Sequence, residues 1–215
     1  MYGNVLFDLD GTLTDSGRGI IHAVRWSLGE MGIEAGEDDR LRAFVGPPLA
    51  DSYYRFFGLS GEDAERAVFL FRKYYNEMGG LFENEVYPGI RELLERLSAE
   101  GKRLIIATYK RGDTAVRVLE HFDLMKYFDF VAASEMVQEK TKAAVVQFAL
   151  KACGITDTRS AVMVGDREND IAGARAAGID SVGVLYGYGS REELEDAGPT
   201  YLAGTPEEIA EYVLR

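Results

Sequence analysis

Apolar residues along this chain keep two rhythms. Short continuous runs recur at Val5-Leu6-Phe7, Leu104-Ile105-Ile106-Ala107, Phe128 to Ala133, Ala161-Val162-Met163-Val164 and Ser181 to Leu185. Runs of that length and composition read as strands buried on both faces. Between them apolar residues return every three or four positions, which is helical spacing. Ile20, Val24, Leu28 and Met31 follow Ser16, and Gly32 stops that helix. Ser60 and Asp63 open a second, with Ala64, Ala67, Val68, Phe71 and Tyr75 on one face and Gly79-Gly80 at its end. Later helices carry Ile90, Leu93, Leu94 and Leu97 up to Gly101, then Thr114 to Phe122, Lys142 to Cys153 closed by Gly154, and Ile171 to Ala177 closed by Gly178. Thr205-Pro206-Glu207-Glu208 is a capping box with Pro at the first helical position, and it opens a final helix.

Strand and helix alternate from the first run and again from residue 82 onward. That pattern predicts an α/β fold: a doubly wound, parallel, five-stranded sheet with helices on both faces. Residues 15–81 hold helices and no convincing strand, with Gly46-Pro47-Pro48 as a loop. The expected organisation is an α/β core of residues 1–14 and 82–215 with an inserted helical domain, 15–81. Turns near Thr14 to Ser16 and at Tyr87-Pro88-Gly89 would be the hinges.

Composition narrows the function classes. Of 215 residues, 47% are hydrophobic and 28% charged, as in ordinary globular proteins. The net charge of −12 argues against non-specific nucleic-acid binding, which needs a basic footprint. It leaves room for a small anionic substrate, because a local site can be positive inside an acidic protein. No apolar run approaches the roughly 18 residues of a membrane helix, so no membrane partner is expected. MYGNVLFDLDG does not read as a signal peptide, and one cysteine fits a reducing cytoplasm.

Chemistry-bearing residues gather where the strand runs end. Asp8 and Asp10, in Asp8-Leu9-Asp10-Gly11-Thr12, directly follow the first run. A strand's carboxyl end is where α/β sheets bind ligands. A second acidic group, Asp166 and Asp170 in Gly165-Asp166-Arg167-Glu168-Asn169-Asp170, follows the Ala161 run. Read alone it is a helix N-terminus with acidic first-turn residues. Beside Asp8 and Asp10 it implies converging carboxylates, which repel and need a cation. All-oxygen ligands select a hard ion, and Mg²⁺ is the usual one when a phosphate completes the shell. Thr108, with Tyr109 after it, offers a hydroxyl and free backbone N–H groups at a helix entrance, a setting that suits phosphate. Lys140 and Lys142 both stand where a cation would balance a phosphorylated carboxylate. His22 and His121 make a poor metal pair and read as structural. Cys153 reads as packed, and Trp26 with Tyr53-Tyr54-Arg55-Phe56-Phe57 as the inserted domain's own core. Gly187 and Gly189 read as a tight turn, and Lys110 and Arg111 as exposed surface, with a substrate contact as the alternative.

Together these motifs resemble the haloacid dehalogenase-like hydrolases, in the branch of phosphoglycolate phosphatases and 5′-nucleotidases. The resemblance rests on FDLDGTLTDS, IATYK, EKTKAAVVQFAL and MVGDRENDIAGARAAG, with VGPPL and VGVLYGYGS in support, and spans essentially the whole chain. It implies a Rossmann-like core with strands in the spatial order 5-4-1-2-3, counted along the chain, and a helical cap that selects the leaving group. Asp8 matches the family's nucleophile and Asp10 its general acid/base. Thr108 matches the phosphoryl-binding hydroxyl, with Tyr109 contributing its N–H. Metal ligation would come from the Asp8 carboxylate, the Asp10 carbonyl, Asp166 and, through water, Asp170. The family's lysine matches Lys142 by the K-x-x-V pattern, or Lys140 by counting from Gly154; we take Lys142. Tyr109 is bulkier than the family's usual residue there. The expected activity is Mg²⁺-dependent hydrolysis of a small phosphorylated metabolite, such as phosphoglycolate or a 5′-nucleotide, by a monomer or homodimer. A sugar-phosphomutase-type transferase and a receiver-like signalling domain are the competing readings.

Overall fold

In the computed structural model, which describes residues 2–215, the chain forms eight strands and ten α-helices. The strands are β1 (Asn4–Phe7), β2 (Thr14–Asp15), β3 (Glu85–Val86), β4 (Arg103–Thr108), β5 (Phe130–Ala133), β6 (Ala161–Gly165), β7 (Asp180–Val184) and β8 (Tyr201–Ala203). The helices are α1 (Gly17–Glu30), α2 (Asp38–Arg42), α3 (Leu49–Phe57), α4 (Gly61–Glu77), α5 (Ile90–Ala99), α6 (Gly112–His121), α7 (Lys142–Ala152), α8 (Glu168–Ala177), α9 (Arg191–Ala197) and α10 (Pro206–Leu214). They fall into two compact units, Met1–Thr14 with Val86–Arg215, and Asp15–Glu85.

The first unit is built on a parallel sheet in the order β5-β4-β1-β6-β7-β8. The five anticipated strands occupy the order implied by the family resemblance, and β8 adds a sixth at the edge. The hydrophobic pattern does not announce β8: it is three residues long, and Tyr201 and Leu202 are only half-buried. Helix α9 was likewise not anticipated, since Leu194 is its one buried residue. A Ser190 side chain accepting from the Glu193 N–H starts α9.

The sheet holds because its central strands bury both faces. Leu6, Ile105, Ala107 and Met163 turn to one side and pack with Val145, Val146, Ala149 and Leu150 of α7 and Ala174 of α8. Their strand neighbours Val5, Phe7, Leu104 and Ile106 are also fully buried and, by the pleat, face the other side. Each such side chain removed from water contributes about 1.5–3 kcal/mol. Register then aligns the strand ends. Phe7 pairs with Ile106 of β4 and with Val164 of β6, so Asp8, Thr108 and Asp166 emerge together at the carboxyl edge of three adjacent strands.

The second unit contains α1 to α4. Ile20, Ile21, Val24 and Leu28 of α1 are buried, as are Ala64, Ala67, Phe71 and Tyr75 of α4. Ser60 does stand at the N-terminus of α4, but its side chain makes no capping hydrogen bond. Tyr53 is fully buried beside Phe44, and its hydroxyl pairs with Ser27 Oγ at 2.5 Å. Phe44 also meets Phe56 and Phe57, so part of the aromatic run is core packing, whereas Tyr54 is exposed. His22 pairs with Glu83, which also accepts from the Tyr74 hydroxyl.

Candidate active site

Asp8 lies immediately beyond β1, with its N–H tied to the Val164 carbonyl at 2.9 Å. Its carboxylate is buried, 4% exposed, at the centre of the sheet's carboxyl edge. Lys142 reaches it from the first residue of α7. The Lys142 Nζ is 3.1 Å from Asp8 Oδ1 and 2.7 Å from Asp170 Oδ1, and it donates to the Ala107 carbonyl at 3.2 Å. Local chemistry fixes where this lysine begins its helix. The Thr141 hydroxyl accepts from the Ala144 N–H as an N-cap, and the Tyr109 hydroxyl accepts from the Lys142 N–H at 2.7 Å. The Tyr109 ring also lies 5.1 Å from the ammonium. Lys140 stands outside this arrangement; its exposed ammonium bonds the Ser134 and Val137 carbonyls.

Asp166 and Asp170 enter from the β6–α8 segment. Asp166 is fully buried and accepts from the Thr12 hydroxyl at 3.2 Å and from the Tyr188 N–H at 2.9 Å. Asp170 Oδ2 accepts from the Arg167 N–H at 3.1 Å, which holds the turn into α8. Carboxylate oxygens of Asp8, Asp166 and Asp170 all lie within 4.8 Å of one another.

Asp8 and Asp170 therefore share one ammonium, while Asp166 beside them has the Thr12 hydroxyl, the Tyr188 N–H and the charge of Arg167 in its favour. Burial pushes the Asp8 pKa up to about 6, with the charge of Lys142 and the Thr108 hydroxyl pulling the other way. Burial, then the charges of Asp170 and Asp8, push Asp166 up to about 8. Burial alone would lower Lys142, but Asp170 and Asp8 outweigh it and hold its pKa above the ordinary lysine value. Such a cluster carries excess negative charge in a site built only of oxygen donors. A divalent hard cation fits that donor set.

Asp10 is set apart from this cluster. Both of its oxygens face Lys110 Nζ, at 3.0 and 2.9 Å, in a pair whose side chains are 6% exposed at Lys110 and 12% at Asp10. The expectation that Lys110 is a surface residue is thus corrected: the turn after β4 carries its side chain inward to the neighbouring Asp10. Arg111 is exposed and pairs with Asp113. Thr108 is buried at the end of β4, where its hydroxyl accepts from the Lys110 N–H at 3.2 Å.

The loop after β7 is a second feature beyond the sequence reading. Gly187 and Gly189 do lie in a turn, but that turn wraps Asp166. A Cβ at Gly187 would collide with the Asp166 side chain and the Gly11 carbonyl, and one at Gly189 with the Asp166 carbonyl. Tyr188 supplies the N–H on Asp166, and the Tyr186 hydroxyl donates to the Thr12 carbonyl at 3.0 Å. Gly11 meets the same carboxylate from the other side. Its φ of +87° suits glycine, and a Cβ there would strike Asp166. The sequence signal was present in VGVLYGYGS: β7 is the neighbour of β6, so the loop that follows it must pass near Asp166. Cys153 and the histidines lie elsewhere. Cys153 is buried against the sheet, where burial pushes its thiol pKa up, and His121 packs edge-on against Phe122.

Known proteins share this arrangement's sequence. The model of the haloacid dehalogenase-like hydrolase family matches residues 5–184. A Pseudomonas aeruginosa protein named 5′-nucleotidase is 38% identical over 201 residues, covering 93% of this chain and 90% of its own. A Mycobacterium tuberculosis protein named tyrosine-protein kinase PtkA is 40% identical over 210 residues, covering 96% of this chain and 71% of its own. The crystal structure of a protein described as a predicted phosphatase from Clostridium acetobutylicum superposes with a TM-score of 0.94 at 40% identity, covering 100% of this chain and 99% of its own. This chain belongs to the haloacid dehalogenase-like hydrolases.

Proposed function

We propose that the protein is a phosphatase that hydrolyses small phosphate monoesters through a phosphorylated Asp8. The observation that carries this reading is the Asp8 carboxylate, buried at the sheet's carboxyl edge against Lys142 and within 4.8 Å of Asp166 and Asp170 oxygens. A carboxylate so placed is a nucleophile with a cation at hand to offset the charge of an incoming phosphate.

Asp8 attacks phosphorus in line with the leaving alcohol. Lys142 and the Thr108 hydroxyl, with the Tyr109 N–H, bind the phosphoryl oxygens. Asp10 enters the first step protonated, gives that proton to the departing alcohol, and as the resulting carboxylate takes one from the water that attacks the aspartyl phosphate. Asp8, Asp166 and Asp170, with the Asp10 carbonyl, would hold a magnesium ion. When bound, that ion supplies Lewis-acid neutralisation of phosphate charge.

The first substrate to test is a 5′-nucleotide, because the Pseudomonas relative carries that name; phosphoglycolate follows. The single cysteine, reduced and buried, supports a cytoplasmic setting; no helix among the described residues is long and apolar enough to cross a membrane. The mycobacterial relative's name favours one other reading, transfer of the phosphoryl group to a tyrosine hydroxyl instead of water. Phosphate release from nucleoside 5′-monophosphates, phosphoglycolate and p-nitrophenyl phosphate, with Mg²⁺ and with EDTA, decides between them. Metal-dependent release into water, lost by at least about 10⁴-fold in Asp8→Asn, supports the phosphatase. A phospho-enzyme that discharges only to an added tyrosine acceptor supports the transferase.

A further inference from the structure

The turn from β4 to α6 places three consecutive side chains on three different parts of the site. Thr108 is buried at the strand end, Tyr109 anchors the first residue of α7 beside Lys142, and Lys110 grips Asp10. The third contact is the unexpected one. Lysines seldom lose nearly all their exposure unless paired, and Lys110 sets its ammonium against both oxygens of the Asp10 carboxylate. Asp10 follows β1 and Lys110 follows β4, and these strands are direct neighbours, so the pair ties together two adjacent loops of the sheet edge. The Lys110 N–H on Thr108 Oγ1 fixes the turn that starts this reach.

We propose that Lys110 is a positioning residue for Asp10: by engaging both carboxylate oxygens it holds them in the orientation from which Asp10 serves the leaving alcohol and the attacking water. This rests on the phosphatase reading. A short acidic side chain has two χ torsions, and the covalent structure of Asp10 does not by itself fix where its two oxygens point. An ammonium across both oxygens removes that freedom, and a general acid/base must be within hydrogen-bond reach of the proton it moves.

The test uses two esters whose demands on Asp10 differ. p-Nitrophenolate leaves without help, so phosphorylation of Asp8 by its ester does not need Asp10, whereas hydrolysis of the aspartyl phosphate does. An alkyl phosphate needs Asp10 in both steps. In Lys110→Met, the proposal expects a burst of p-nitrophenol close to one per enzyme, then turnover slowed about 100-fold, with phosphate retained on Asp8 after acid quench. The alkyl ester should lose more in kcat, with no burst, while KM for both esters moves less than kcat. Lys110→Arg, which keeps the charge and the reach, should recover part of the hydrolysis step. Lys110→Gln replaces the Met variant if Met at this buried position lowers the folded yield. Losses equal for both esters with no retained phosphate, or kcat within about twofold of wild type in a folded variant, overturn the proposal. A wild-type enzyme that releases no phosphate from either ester overturns the phosphatase reading and this proposal with it, and is seen before any variant is measured.

Discussion

Two buried groups of charge sit a few residues apart in this molecule and are built on opposite terms. Asp10 meets an opposite charge directly, with both of its oxygens engaged by the Lys110 ammonium. Of Asp8, Asp166 and Asp170, Lys142 touches Asp8 and Asp170, and Asp8 and Asp166 are pushed well above the usual carboxylate range. Balanced burial is self-sufficient and gives a fixed tool. Unbalanced burial is costly until something positive arrives, which suits the second group to holding a cation. The difference assigns the two groups different work before any ligand is considered.

The comparison breaks most sharply at its lysines. Lys142→Met leaves Asp8 and Asp170 without their shared ammonium; turnover should fall by about 10³-fold or more, and metal-free stability by about 3 kcal/mol, read by urea melts. Lys140→Ala removes an exposed side chain of the same type two residues away, and turnover should stay within about twofold.

Metal-free stability sharpens the contrast through pH. Folding raises Asp8 from 3.8 to about 6 and Asp166 from 3.8 to about 8, so the folded state binds more protons than the unfolded one between those values. Stability must then fall as pH rises from about 4 to 8. Mg²⁺ should remove most of that slope, and at pH 8 should raise stability by about 2–3 kcal/mol at a hundredfold excess over its Kd. Asp166→Asn should flatten the metal-free slope while abolishing the response to Mg²⁺. A wild-type slope that is flat without metal would contradict the unbalanced reading.

The loop after β7 tests whether packing around Asp166 matters as much as its charge. Gly187→Ala pushes a methyl group into the Asp166 side chain and the Gly11 carbonyl, and should weaken Mg²⁺ by about 10–100-fold in titration calorimetry. A smaller effect belongs to Tyr109→Phe. It removes the hydroxyl that accepts from the Lys142 N–H, costing about 1 kcal/mol and a few-fold in kcat.

Much of this was legible in the sequence, because the informative residues stand next to the runs that position them. Asp8 follows a buried apolar run, and Asp166 follows the run beside it in the sheet, so the edge they share could be read from the strand pattern and the resemblance. What stayed illegible depended on pairings that no local pattern encodes. Lys110 looks like any other lysine until β1 and β4 are set side by side. Tyr186 reaches a carbonyl 174 residues away, and Gly187 is glycine because of a side chain in another loop. Strand β8 escaped for the opposite reason. It is an edge strand of three residues, too short and too exposed on one side to leave a hydrophobic signature.

The central claim is that Asp8 carries the phosphoryl group. The direct measurement is acid-quenched mass spectrometry of the enzyme during turnover of p-nitrophenyl phosphate with Mg²⁺, with the modified residue located by peptide sequencing. The account predicts a transient phosphate on Asp8, absent in Asp8→Asn and without Mg²⁺, that forms and decays at rates consistent with kcat. Steady phosphate release with no modified Asp8, and an Asp8→Asn variant that still turns over once deamidation is excluded, would contradict it.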